Sequence, residues 1–443
     1  MAKRFAIKQL VQLMCLGGIL GMTSNAMASS FQLWEQDGAS IGDYHAGRAA
    51  QANNASTSFY NPAGITRIKN QQMVLGDVFI ITDIKYKGTV SVNTLGNAPL
   101  NAVSQGGGFS PVPNLHYVAP LMNDVLGFGF SVTAPFGLKT DYGRNTVLRY
   151  AATSTQLRVI DVSPALGLNL TKNFSVGLGI DWQRLSAQFN EVGALGLLPG
   201  NSDTDSSNKG RSIGYGFHMG ALYQFIPSTR VGLAYASQVV HHIRGTSKAV
   251  GPVSNFFNAG MPIVSLNTNA AITLPASTTL SLFSQLNPKW SLMGTAIYTQ
   301  WSVFQNLRLQ NVATVDNLAA SNTVTVILPA SYRNTWNFSV GTEYAATDKF
   351  TFRGGVGYDQ TPVGNKYRNV QVPDNNRYAL ALGGHFQATK ALGFDLGWTH
   401  LFMQGNSIVN PPPQPVGAQI VTTNGVVNAN ADILGAQVTW DIV

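Results

Sequence analysis

Beyond about residue 70 the apolar residues of this chain fall on alternate positions, segment after segment, which is the period of a β-strand with two unlike faces. Phe174, Val176, Leu178, Ile180 and Trp182 oppose Ser175, Gly177, Gly179, Asp181 and Gln183. Trp336, Phe338, Val340 and Tyr344 oppose Asn337, Ser339, Gly341 and Glu343. Phe350, Phe352, Val356 and Tyr358 oppose Thr351, Arg353, Gly357 and Asp359, and Leu392 to Thr399 repeats the pattern. One face is greasy with aromatic ends; the other is small and polar. Such segments lie near 72–86, 112–120, 126–136, 154–171, 174–190, 211–225, 230–245, 269–285, 290–308, 331–346, 350–361, 377–388, 391–403 and 430–443, fourteen in all.

The connections alternate too. Links at Met122-Asn123-Asp124, Lys172-Asn173, Pro227-Ser228-Thr229, Asn287-Pro288, Thr347-Asp348 and Thr389-Lys390 are short, and those between them are long. Transmembrane barrels have an even number of strands, short periplasmic turns and long outer loops. The expected fold is therefore all-β, a fourteen-stranded antiparallel transmembrane barrel with both chain ends on the periplasmic side. Charged residues make up 11% of the chain, against about 25% in soluble proteins. A secreted β-sandwich or solenoid also has two-faced strands, but has no reason to turn aromatics toward water.

The first residues read as a secretory leader: Lys3, Arg4 and Lys8, an apolar core to Met22, then Ala26-Met27-Ala28 as a cleavage site. Residues 1–28 are expected to be removed. That loss of three bases and no acids lowers the formal charge from +8 to +5, too mild to indicate a nucleic-acid partner. Cys15, the one cysteine, leaves with the leader. Residues 29–71 are rich in Gly and Ala and have little strand character. Within them Asn61-Pro62-Ala63 reads as a helix start, with Asn as cap and Pro where no N–H is needed. This segment is expected to be a partly helical hatch inside the lumen, with 72–443 as the barrel.

Phe31-Gln32-Leu33, Gly42 and Asn61-Pro62-Ala63 directly after the leader resemble the hatch of the FadL/TodX family, outer-membrane transporters of long-chain fatty acids and other hydrophobic compounds. Val112 to Pro120 (VPNLHYVAP), Ala134 to Leu138 (APFGL), Tyr332-Arg333-Asn334, Tyr358-Asp359 with Pro362-Val363, and Val372-Pro373-Asp374 with Arg377-Tyr378 extend the likeness along the mature chain. The resemblance implies that ligand enters an outer groove, reaches an interior site that includes the N-terminal tail, and leaves sideways through an opening at a kinked third strand. Phe31 holds the tail position. Gly127 and Gly129 sit in the matching strand, where glycine suits a kink.

Burial at about 0.8 kcal/mol per methylene makes a fatty tail the main source of affinity, and an arginine fork suits its carboxylate. Arg333 is the first candidate, because its parity matches inward Asn337 and Ser339 and the family has a basic residue there. A lumen salt bridge is the alternative. Arg377 and Arg353 also point inward by parity, to bind ligand or to hold the hatch through acids, whereas Arg158 and Arg184 point outward, toward lipid head groups.

No metal site, cofactor or enzyme is expected. The seven histidines lack ligand spacing, and no nucleophile elbow or phosphate loop is present. The expected role is passive uptake of long-chain fatty acids by a monomer in the outer membrane of a Gram-negative bacterium. A carrier of aromatic hydrocarbons, a general porin, and an adhesin using loops such as Val409 to Val416 remain open.

Overall fold

The computed structural model describes residues 30–122, 125–194, 203–316, 321–405, 407–416 and 419–442. The leader, its cleavage site and Ser29 lie outside the described residues, as do Asn123, Asp124 and Val443.

Fourteen antiparallel strands close on themselves. They are β1 (Gln71–Val92), β2 (Phe109–Met122), β3 (Leu126–Thr133, resuming as Gly137–Asp141), β4 (Ser154–Asn169), β5 (Phe174–Ala194), β6 (Asp203–Ile226) and β7 (Thr229–Ala236 and Val239–Val250). Then come β8 (Ile263–Leu274 and Ser277–Gln285), β9 (Trp290–Thr299 and Asn306–Asp316), β10 (Ser321–Pro329 and Thr335–Ala345), β11 (Phe350–Asp359), β12 (Arg377–Thr389), β13 (Leu392–Met403) and β14 (Gln419–Ile442). Each pairs with the next, and β14 pairs with β1 from Gln71–Ile442 to Val92–Val421. Closure removes the free edges that a bilayer would leave unsatisfied.

The alternation places one face in the bilayer. Leu178, Ile180, Phe352, Val356, Leu382 and Leu396 are exposed on the outside, whereas Ser339, Asn337, Asp395 and Thr399 are buried within. Aromatic pairs mark both rims. Trp290–Tyr344 and Phe350–Phe386 lie at one level, Tyr298–Trp336 and Tyr358–Tyr378 at the other. The rims are eight residues apart along β9 and β11, about 20 Å after strand tilt, close to the apolar band of such barrels.

Strand edges differ from the sequence expectation where the backbone leaves the ladder. β9 is interrupted by a turn at Trp301–Val303, which swings Trp301 into the lumen, fully buried. Residues 330–334 are not strand, and Ser331 takes φ of 46°. The inward–outward count is broken there.

Residues 30–70 form short helical turns, at Ala39–Asp43, Arg48–Gln51, Thr57–Tyr60 and Pro62–Arg67, packed against inward faces all round the barrel. Turns of four to six residues have little stability of their own; the wall holds them in place.

Candidate functional site

The third strand breaks where APFGL begins. Its ladder with β4 passes from Thr133–Asp161 to Gly137–Arg158, so three residues, Ala134, Pro135 and Phe136, oppose two. On the other side the ladder between β2 and β3 stops at Leu115–Val132. Pro135 has no N–H to give, and a one-residue bulge bends a strand. The bent segment turns to the hatch. Leu33 N donates to Pro135 O at 2.9 Å and Gly137 N to Phe31 O at 2.8 Å, a bridge centred on Gln32 and Phe136. Gln36 doubles it, its side chain donating to Ala134 O and accepting from Ala134 N at 3.0 and 2.9 Å. The wall has thus exchanged a strand partner for the N-terminal tail.

Gly127 and Gly129, expected at the kink, lie away from the break at Ala134–Phe136, opposite Pro120 and Val118 on β2, where the register shifts only past Pro120, and opposite Gly167 and Ala165 on β4. They are needed for clearance. A Cβ at Gly127 would come within 2.6 Å of the Ile65 side chain, and one at Gly129 within 2.7 Å of both Ile65 and Ser58. The glycines admit the hatch against the wall.

Asn61-Pro62-Ala63 fixes that contact. The Asn61 side chain accepts from Ala63 N at 3.1 Å, capping the following turn, and donates to Ala49 O at 2.6 Å within the hatch and to Ala221 O at 3.1 Å on β6. Ser175 on β5 donates to Ala63 O at 2.9 Å. Asn61 itself is fully buried.

At the other end of the hatch Phe31 is buried in an aromatic cage, with ring centroids 4.7 Å from Trp301, 5.7 Å from Phe304 and 6.2 Å from Phe136. Tyr332 backs Trp301 and Phe304. Ser30 is tied down by its N–H to Asp374 Oδ2 at 2.9 Å and its hydroxyl to Tyr332 at 2.8 Å. Around Phe31 lies a chamber walled by Leu138, Leu157, Phe189, Ile272, Leu307 and Leu328, with about 50 Å³ of free space. Among the described residues lining it there is no Lys, Arg or His. A second chamber, with about 100 Å³ free, lies along Gln32, Leu33 and Trp34 and reaches Pro135, Phe136 and the polar group of Asp181, Gln183 and His218.

Neither arginine candidate lines the Phe31 chamber. Arg333 is exposed, because the irregular backbone at 330–334 turns Tyr332 inward in its place. Arg377 is buried, its guanidinium 3.0 Å from Asp359 and 3.6 Å from Asp374. It is linked to the tail only through Asp374, the carboxylate that accepts from Ser30 N. Arg353 is likewise occupied, at 2.8 Å from Glu343 and 2.5 Å from Asp395. Glu35 on the hatch is buried near Arg377 and Asp359, and burial pushes its carboxyl up to about 7.

Tyr332, Phe136 and Asp374 are not among the sequence candidates, although each belongs to a family-like motif, Tyr332-Arg333-Asn334, Ala134 to Leu138 and Val372-Pro373-Asp374. Trp301 and Phe304 gave no signal, since they lie in a break that alternation does not reveal.

Comparison with known proteins shows the family and the fold. Residues 19–442 match the family described as outer membrane protein transport protein (OMPP1/FadL/TodX). The long-chain fatty acid transport protein of Salmonella typhi is 27% identical over 416 residues, covering 89% of this chain and 92% of that protein. A Pseudomonas aeruginosa FadL homologue superposes with a TM-score of 0.81 at 25% identity, over 93% of this chain and 99% of the other. The toluene transporter TodX of Pseudomonas putida shares the fold, with a TM-score of 0.67 at 18% identity over 93% and 100%.

Proposed function

We propose that this chain, which belongs to the FadL/TodX family of outer-membrane transport proteins, takes up long-chain hydrophobic molecules, fatty acids foremost, and releases them sideways between β2 and β3. The division that goes with this reading is a removed leader at 1–28, a hatch at 29–71 and a barrel at 72–443, working as a monomer among outer-membrane lipids.

One observation carries the reading: Phe31 fills the apolar chamber and its own carbonyl holds the bent third strand. Ligand pockets measure about 300–1,000 Å³, far more than the free space beside Phe31. A ligand must therefore displace that ring. Withdrawing Phe31 pulls on Gly137 and Leu33 and loosens the tail from the gap where β2 and β3 part. Entry of the ligand and opening of the wall become one event, driven by burial of the ligand's apolar surface. The ligand then passes to the bilayer without crossing water.

Fatty acids are favoured because the curated relative transports them. A second reading, neutral hydrocarbons, is favoured by the lack of a cation among the described residues lining the Phe31 chamber. Titration of the purified barrel with oleate, oleyl alcohol and toluene separates them. Tighter binding of oleate than of its alcohol supports the first; equal binding of the two supports the second. Binding of none of the three would overturn both.

A further inference from the structure

Five arginines stand on the outer wall of β4 to β9: Arg158, Arg184, Arg211, Arg244 and Arg308. The strand registers bring them together. Arg158 lies opposite Ser186, Ser186 opposite Arg211, Arg211 opposite Arg244, Arg244 opposite Asn269, and Asn269 opposite Gln310. Arg184 sits between Ile160 and Ile213, two residues along β5 from Ser186. Arg211 and Arg244 are thus direct cross-strand neighbours of like charge, an arrangement that destabilises a sheet. Among the described residues none of the five has a salt bridge to a carboxylate; Asp203 and Asp205, on the same strand as Arg211, pair with Arg149 and Arg144.

Directly below this row the wall is apolar. Ile180, Trp182, Ile213, Tyr215 and Val240 are all exposed there, and Trp182 pairs with Tyr215 in the outer aromatic rim. Beside it a groove of about 720 Å³ is lined by His242, Arg244, Asn267, Asn269, Arg308 and Gln310. The arginines therefore stand at head-group height on the outer-loop side, over a surface that contacts acyl chains. An occupant must be anionic above and apolar below. Guanidinium forks match phosphate oxygens, and each bond between ionised groups is stronger than a neutral one.

We propose that β4 to β9 carry a binding site for a phosphorylated lipid of the outer leaflet, whose phosphates are held by Arg211, Arg244 and Arg308 with Arg158 and Arg184 at its edge. The site is separate from the transport chamber, since all five side chains face away from the lumen. It relieves the repulsion between neighbouring guanidiniums and fixes the depth of the barrel wall beginning one strand from the β2–β3 gap.

The test is titration of the full-length barrel in neutral detergent with diphosphoryl lipid A, with the fully dephosphorylated lipid, and with inorganic phosphate, following thermal unfolding. Diphosphoryl lipid A is expected to raise the unfolding temperature, the dephosphorylated lipid to do so at least tenfold less potently, and inorganic phosphate to have no comparable effect. The variant R211Q/R244Q/R308Q should need at least tenfold more diphosphoryl lipid A. R308Q alone, less exposed to assembly failure, should show a smaller loss in the same direction. Equal response of wild type and R308Q, equal potency of the two lipids, or a shift reproduced by inorganic phosphate would overturn the proposal.

Discussion

Phe31 occupies space that a ligand would need, so removing its ring leaves the ligand less to displace. Phe31→Ala is predicted to tighten binding of a hydrophobic probe by up to about tenfold, the equivalent of ~1.4 kcal/mol; a large loss of affinity would show that the ring is a wall of a pre-formed pocket. Arg333→Ala is predicted to leave the ratio of oleate to oleyl alcohol binding unchanged, since its side chain is exposed and away from the chamber. A fall in that ratio would restore it as a head-group contact. Glu35 supplies a pH dependence. Its carboxyl is raised by burial from 4.5 to about 7, so the docked hatch holds a proton that the free segment has lost. The stabilisation is full below about pH 4.5 and disappears as pH rises through about 7. Protection of the hatch amides, measured against their intrinsic exchange rate at each pH, should therefore fall over that interval in the wild type and much less in Glu35→Gln. Identical profiles would exclude Glu35.

At the scale of elements, the hatch is a set of turns too short to stand alone, and Asn61 joins two of them to the wall. Asn61→Ala removes a cap, one buried bond and one partly buried bond, a loss of about 2–4 kcal/mol in hatch docking. Its measure is hatch amide exchange, which should accelerate while the barrel strands stay protected; unaltered exchange would contradict the anchoring role. The strands were legible from alternation because a barrel wall has one face in lipid and one in the lumen. Alternation carries no information where the backbone leaves the ladder, and that is where the site lies: the bulge at Ala134–Phe136, the break at Trp301 and the irregular run before Thr335. Glycine in a strand marks a bend or a close approach. At Gly127 and Gly129 the sequence suggested a bend, and the partner that made it a close approach, Ile65, is about sixty residues away in the chain.

For the whole molecule, three parts work as one moving unit: a chamber filled by Phe31, a tail bonded to a bent strand, and a gap in the ladder beside it. The most direct measurement locks tail to strand. Gln32 and Phe136 are antiparallel bridge partners, a pairing whose Cα separation of about 4.5–5.5 Å suits a disulfide, and the native chain has one cysteine, Cys15, in the expected leader. A Gln32→Cys/Phe136→Cys barrel, produced in a host lacking its own fatty-acid transporter, should lose oleate uptake when oxidised and regain it on reduction. Equal uptake in the oxidised and reduced states would contradict release of the tail as the step that opens the wall.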